Sequence, residues 1–307
     1  MKKKIIILKH NRGELSNQLW NYISVYAYGL EIEAEVCNPS FFEYHRYFNL
    51  LKKESFFTKF LSFWFKNHSG RRSSLRNRFW RNIYSLYSKM TIFIKNKSII
   101  SSENKNNAVI YLPPTSQSPS LENKSVGYFV GWLFRNPVGI KKFREKLIQS
   151  FSPNEKIKRR VDEILEPLRL RYQKIVGVHI RQSDYREFKG GIYFIAQEKI
   201  KEIIEEYIKQ NKIDRNQTIF LITSDDKIEE SIFNNLNIYI SKKNAVTDLF
   251  ILSKTDIIIG SDSSFGAFAS WYGNIPHIII SNNPIDWVYY ADKKEYFENK
   301  YSKTVQY

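Results

Sequence analysis

An apolar run that ends in three polar groups is the strongest constraint in this sequence: Ile175, Val176 and Val178 lead into His179-Ile-Arg-Gln-Ser-Asp-Tyr185. Such a run needs cover on both faces, which is the situation of a parallel strand between layers of helices. Open parallel sheets bind ligands just past the carboxyl ends of their strands. His179, Arg181 and Asp184 therefore stand where a ligand would be met. Arginine's planar fork fits phosphate oxygens, and a neighbouring carboxylate can hold that fork in place. A strand end with an ordinary surface ion pair fits these residues equally well, so other stretches have to decide.

Three do. An apolar strand at 218–223 ends in Thr223-Ser-Asp-Asp226, and carboxylates just past a strand end hydrogen-bond ribose hydroxyls or base N–H groups. Asp226 by itself is better read as the cap of a helix over 226–235. A strand at 256–260 runs into Gly260-Ser-Asp-Ser-Ser-Phe-Gly266, where hydroxyls and backbone N–H groups at a helix start make an anion site. Neither the G-x-G-x-x-G spacing nor the P-loop lysine is present, which argues against ATP hydrolysis and dinucleotide redox chemistry. Near the N-terminus, Asn17 and Gln18 fall in the first turn of a helix, where amides and unpaired backbone N–H groups can meet a phosphate or a sugar. Together these ends suit a nucleotide diphosphate sugar. Asp225 and Asp226 have no His or third acid nearby in sequence, so no metal site is expected.

The pattern along the chain is α/β. A strand at 4–8, a polar turn at Asn11, Arg12 and Gly13, and a helix over 16–31 capped by Ser16 precede a strand at 34–37. Leu19, Ile23, Tyr26, Ala27 and Leu30 form the buried face of that helix. Residues 41–100 read as helices rich in aromatics and charge, and 101–125, with Pro113, Pro114 and Pro119, as loops. A strand at 127–134 and a helix from Pro137 to Ser150 follow. After a connecting helix the alternation resumes with strands at 174–180, 218–223, 237–240, 256–260 and 276–280. Two Rossmann-like domains are expected: 1–165, with a helical insertion at about 41–125, and 166–307, facing each other across a crevice.

Charge is unevenly spread. The net +17 includes twelve Lys or Arg against one acid, Glu54, between residues 51 and 100. Phe56, Phe57, Phe60, Phe63, Trp64, Phe65, Phe79 and Trp80 run through the same segment. Basic charge among large aromatics suits an anionic membrane surface; single-stranded nucleic acid is a weaker fit. An aromatic core with solvated lysines outside fits as well. The single Cys37 excludes an intrachain disulfide and cysteine-built metal sites, and it points to a reducing compartment. The apolar stretch after Met1 is too short for a signal peptide, and no apolar run approaches membrane-spanning length. A cytoplasmic location, peripheral on the inner face of the membrane, is the expectation.

Four motifs give the chain a family resemblance. Leu15-Ser-Asn-Gln-Leu-Trp-Asn-Tyr22 resembles the L-G-N-Q-L-F-Q-Y opening of the α-1,2-fucosyltransferases of glycosyltransferase family 11. His179-Ile-Arg-Gln-Ser-Asp-Tyr185 resembles their H-x-R-R-x-D-Y signature, Thr223-Ser-Asp-Asp226 their S-D-D segment, and Ser261-Asp-Ser-Ser-Phe-Gly266 their N-S-S/T-F-S loop. The wider superfamily includes α-1,6- and protein O-fucosyltransferases. The resemblance implies a GT-B fold with an N-terminal acceptor-side domain and a C-terminal donor domain. It also implies inverting, metal-independent transfer of fucose from GDP-fucose to a glycan hydroxyl, with no cofactor. Position by position it implies that Arg181 contacts the β-phosphate, His179 shapes that pocket and Asp225 meets guanosine. Ser263 and Ser264 would bind phosphate oxygens beside Phe265, and Asn17 would face the donor sugar or pyrophosphate. Glu14, Asp184 and Glu187 are the candidate general bases. The sequence departs from the pattern at Gln182, where the family has a second arginine, and at Glu14 and Ser16, where it usually has glycines. The alternatives are a GT-B enzyme using another nucleotide sugar, or a non-catalytic nucleotide-sugar- or glycan-binding protein on the same fold.

Overall fold

Ile5 and Ile7 point to one face of the first strand and are wholly buried there, while Ile6 on the other face is half-buried. The computed structural model describes residues 3–9, 14–65, 75–101, 109–112 and 125–291. The turn at Asn11, Arg12 and Gly13, and Pro113, Pro114 and Pro119, lie outside the described residues. The chain divides into two units, the first ending at Asn154 and the second beginning at Glu155. The division falls at the start of a helix rather than within it, as a boundary at 165 would.

The first unit runs β1 (Lys4–Lys9), α1 (Leu15–Glu31), β2 (Glu35–Cys37), three short 3-10 turns between Pro39 and Lys53, α2 (Phe56–Trp64) and α3 (Leu75–Ile94). Then come β3 (Ile99–Ser101), β4 (Ile110–Tyr111), β5 (Val126–Val130), β6 (Phe134–Arg135), α4 (Pro137–Lys142) and α5 (Arg144–Ser150). Four strands form a parallel sheet in the order β2-β1-β5-β3. The helix at 15–31 is buried on more than the expected stripe, from Leu15 through Ser16 and from Gln18 to Gly29. A second aromatic layer covers its outer side: the Tyr22 ring lies 5.6 Å from Phe41 and 4.8 Å from Phe151. Ser16 is not the cap. That position is Glu14, without a side-chain capping bond, and the Ser16 hydroxyl is buried inside the first turn. The expected strand at 127–134 breaks into β5 and β6 at Gly131, whose φ of 120° turns the chain in a conformation glycine tolerates.

The second unit runs α6 (Glu155–Arg171), β7 (Lys174–Ile180), two 3-10 turns (Asp184–Arg186 and Phe188–Gly191), α7 (Gln197–Gln210), β8 (Thr218–Ser224), β9 (Ile238–Ile240) and α8 (Ala245–Leu252). It closes with β10 (Ile257–Ser261), α9 (Ser264–Gly273), β11 (His277–Ile280) and α10 (Trp287–Ala291). Five parallel strands lie in the order β11-β10-β7-β8-β9. The chain winds outward from β7 in one direction and then in the other, so the order reverses between β7 and β10. The helix expected over 226–235 is only a 3-10 turn at Glu230–Phe233. The Gln197 side chain takes the backbone there instead, donating to the Lys227 carbonyl at 2.9 Å and accepting from Glu229 N–H at 3.0 Å.

Candidate functional site

Strand β7 is buried from Ile175 to Ile180 and delivers its last polar groups to the β7–β10 switch point. Register places Gly260 opposite His179. A Cβ at Gly260 would lie 2.9 Å from the His179 Cβ, so only glycine lets the imidazole sit there. The ring stacks on Phe265 at 4.8 Å and 26°, with Nδ1 3.4 Å from the Thr223 hydroxyl. Its Nε2 is buried and has no hydrogen-bond partner among the described residues. Burial above all pushes the His179 pKa down to about 4; Asp225 opposes this and the Arg181 charge assists it. His179 is therefore a neutral ring at physiological pH, able to offer one nitrogen to a ligand. Its NMR titration midpoint should lie near 4 rather than near the ordinary value of 6.5. Because the folded pKa is depressed, the stability it contributes is full above 6.5 and is lost as pH falls toward 4. A midpoint at 6 or above would show a solvated ring.

Arg181 is held on several sides. Its Nε and Nη2 donate to the two Asp184 oxygens at 2.9 and 2.7 Å. Its guanidinium lies 4.7 Å from the centre of the Tyr185 ring, and its backbone N–H donates to the Ser261 hydroxyl at 3.1 Å. Burial disfavours the charge, yet the bond to Asp184 more than offsets it and the pKa is raised. Asp184 thus grips one edge of the fork, and the Nη1 edge is left for an incoming anion. The Tyr185 hydroxyl donates to the Asp262 carbonyl at 2.8 Å, tying this loop to the one after β10.

That second loop starts α9. Ser263 is its N-cap, its hydroxyl accepting from Gly266 N–H at 3.5 Å, and Ser264 and Phe265 form the first turn. The start of this helix carries partial positive charge at the same switch point as Arg181. Asp225, expected at the guanosine, binds protein here. It accepts from Gln182 N–H at 2.8 Å, from Ser183 N–H at 3.3 Å and from the Ser183 hydroxyl at 2.6 Å. Asp226 caps no α-helix; it pairs with Arg186 at 3.3 Å. Gln182 turns inward, donating to the Ile195 carbonyl at 2.9 Å and accepting from Gln197 at 3.1 Å. Glu187 is exposed in the following turn. The fold thus brings His179, Arg181, Asp184, Asp225, Ser263, Ser264 and Phe265 to neighbouring strand ends of one sheet. Ser261 and Tyr185 belong with them as positioning residues. Tyr185 was visible as the last letter of its motif, whereas Ser261 gave no signal before the β7–β10 register was known.

Asn17 and Glu14 belong to the first unit. Asn17 is half-buried in the first turn of α1, and its side chain makes no hydrogen bond among the described residues. At the carboxyl end of β1 lies a cavity of about 340 Å³ lined by Lys9, Ser40, Phe42, Glu43, Arg81, Tyr84 and Lys89, among others. Arg81 donates to both Glu43 oxygens at 2.8 Å, and its pKa is raised by that bond against burial, with Glu14 contributing. Among the described residues, no group of three His, Cys, Asp or Glu is placed to hold a metal ion.

No protein-family model matches the chain. No curated protein matches it either. Solved structures do. A crystal structure of POFUT1 in complex with GDP-fucose aligns with a TM-score of 0.54 at 12% identity, covering 91% of this chain and 98% of that one. Arabidopsis thaliana FUT1, a mutant in complex with GDP, aligns with a TM-score of 0.52 at 14% identity over 92% and 72% of the two chains. NodZ α-1,6-fucosyltransferase soaked with GDP-fucose gives 0.51 at 12% identity over 89% and 93%. The chain has the fold of these fucosyltransferases. It is the expected α/β architecture of GT-B type, with a parallel sheet in each unit.

Proposed function

We propose that this chain is an inverting glycosyltransferase that moves fucose from GDP-fucose to a hydroxyl of a glycan acceptor. The observation that carries the reading is Arg181, gripped on one edge by Asp184 and presented beside the N-terminus of α9 at the β7–β10 switch point. The acceptor oxygen attacks the anomeric carbon while the bond to GDP breaks, and negative charge collects on the β-phosphate. The open edge of Arg181 and the first turn of α9 meet that charge in place, which is preorganised electrostatic stabilisation. Because those groups are cationic, leaving-group departure proceeds without a metal ion. His179 packs the floor of the pocket and offers its neutral Nε2. Asp184 acts through Arg181, and the proton of the acceptor goes to a carboxylate, with Glu14 and Glu187 as the candidates. The family 11 motifs favour an α-1,2 linkage. They also favour an acceptor of the surface-polysaccharide or O-antigen type, lipid-linked and reached from the cytoplasmic side, with the basic segment at 51–100 touching the membrane.

Thermal melting with nucleotides tests the donor. GDP at one hundred times its Kd should stabilise the chain by about 2.7 kcal/mol, equally in EDTA and with magnesium or manganese. UDP should do much less. A strict metal requirement or equal stabilisation by UDP would overturn the assignment. Stabilisation by GDP without turnover of GDP-fucose would favour a binding protein on the same fold, a reading that Gln182 and the altered opening loop keep open.

A further inference from the structure

Helix α3 carries apolar side chains on two sides: Tyr84, Trp80 and Ile83 join a cluster with Phe42, Leu61 and Phe65, and a second row faces away from it. The side that meets the first unit carries Asn77, Tyr84 and Ser88, all buried, with the Tyr84 and Ser88 hydroxyls both donating to the Leu8 carbonyl. The opposite side carries Phe79, Leu86, Met90 and Phe93, spaced i, i+7, i+11 and i+14 and all exposed, Phe93 by 86%. A helix that folds only against its own domain keeps its apolar stripe inward. Helix α2 repeats the pattern: Thr58, Leu61 and Ser62 are buried, while Phe56 and Phe63 are 84% and 71% exposed. Among the described residues, ten of the seventeen exposed large hydrophobic side chains lie on these two helices. Exposed apolar surface concentrated in this way marks an interaction site.

Charge says what covers it. Between Ser55 and Ser101 there is no Asp or Glu, while Lys59, Arg78, Lys95 and Lys97 are exposed. A second copy of the chain would bring like charges together. An anionic partner with an apolar interior suits both features. Beside Phe63 a cavity of about 460 Å³, lined by Arg46, Lys59, Ser62 and Leu51, offers two cations to a phosphate-bearing headgroup. We propose that the α2–α3 face docks on an anionic lipid bilayer, its phenylalanines entering the acyl boundary and its cations meeting the headgroups. This deepens the membrane contact within the proposed function but rests on none of its donor chemistry.

Co-sedimentation of the full chain with phosphatidylglycerol-containing vesicles, against pure phosphatidylcholine and without nucleotide, tests it. The chain should pellet with the anionic vesicles, more weakly as salt rises. The quadruple variant Lys59→Glu, Arg78→Glu, Lys95→Glu, Lys97→Glu should bind on the order of 1000-fold more weakly or worse. Phe56→Ser with Phe63→Ser and Phe93→Ser should remove the part that survives high salt, with little change in melting temperature, since these rings are mostly exposed. Lack of anionic-lipid dependence in the wild type would overturn the proposal whether or not the variants fold. So would equal pelleting of folded variants, self-association through these helices in place of vesicle binding, or binding of single-stranded nucleic acid alone. Because GDP plays no part in the measurement, a chain that fails every donor test can still pass this one.

Discussion

Arg181→Lys should lower sugar transfer from GDP-fucose on the order of 100- to 1000-fold, about the cost of removing one preorganised donor to a developing anion. The reason is geometric. Arg181 gives one edge of its fork to Asp184, and in the proposed mechanism the other edge meets phosphate. A lysine ammonium carries the same charge at a single point and cannot grip a carboxylate while presenting a planar edge elsewhere. If it pairs with Asp184 it leaves the phosphate, and if it reaches the phosphate it leaves Asp184. The companion variant Asp184→Asn keeps the cation but loosens its hold, so the loss should be smaller. Direct assay of transfer, with melting temperatures to show that the variants are folded, checks both. Turnover near wild type in Arg181→Lys would remove this residue from the mechanism.

Gln182→Arg should unfold the second unit more readily, by about 3 kcal/mol or more, a drop of about 10 °C in melting temperature for a unit of this size. The resemblance alone leads to the opposite expectation, because the family carries a second arginine at this place and the added charge ought to help hold phosphate. In this chain Gln182 is 1% exposed and faces the interior, with both ends of its amide bonded to residues 195 and 197. A guanidinium there would be buried where the Gln182 amide now meets the Ile195 carbonyl, and would leave the Gln197 amide short of an acceptor. Thermal or urea unfolding, with GDP binding measured alongside, is the check. A variant as stable as wild type would mean that the side chain swings out, and the supporting-charge reading would then return.

The contrast between these neighbours shows what was legible. His179 and Arg181 could be read from the sequence because they end an apolar run long enough to be a buried strand, and a strand end is a local property. Ser263 and Phe265 were legible for the same reason, a strand followed at once by a helix. The protein partners of Gln182 and Asp225 were not. Gln182 read as a missing arginine and Asp225 as a group for guanosine, and the fold gives each partners within the protein: Asp225 ties down residues 182 and 183, and Gln182 fastens the start of α7. Side chains just past a strand can point to solvent, ligand or core with little difference in local energy. The partners that choose among these directions lie thirteen to forty-three residues away. The failed helix at 226–235 has the same cause, since Gln197, thirty residues upstream, supplies the bonds that a helix would have made for itself.

The sequence by itself determined the alternation of strands and helices, the two-unit plan and the strand ends at which polar groups collect. All of these follow from apolar periodicity and from the backbone's need to satisfy its own hydrogen bonds over a few residues. Only the tertiary structure decided the strand order β11-β10-β7-β8-β9, which sets Arg181 beside Ser261 and the start of α9. It alone showed that α2 and α3 pack Phe57, Trp80 and Tyr84 inward and leave Phe56, Phe63, Phe79 and Phe93 exposed. Composition counts rings and charges without saying which way they face. That direction is fixed when α3 hydrogen-bonds through Tyr84 and Ser88 to the carboxyl end of β1, leaving Phe79 and Phe93 on a side that no other described residue covers.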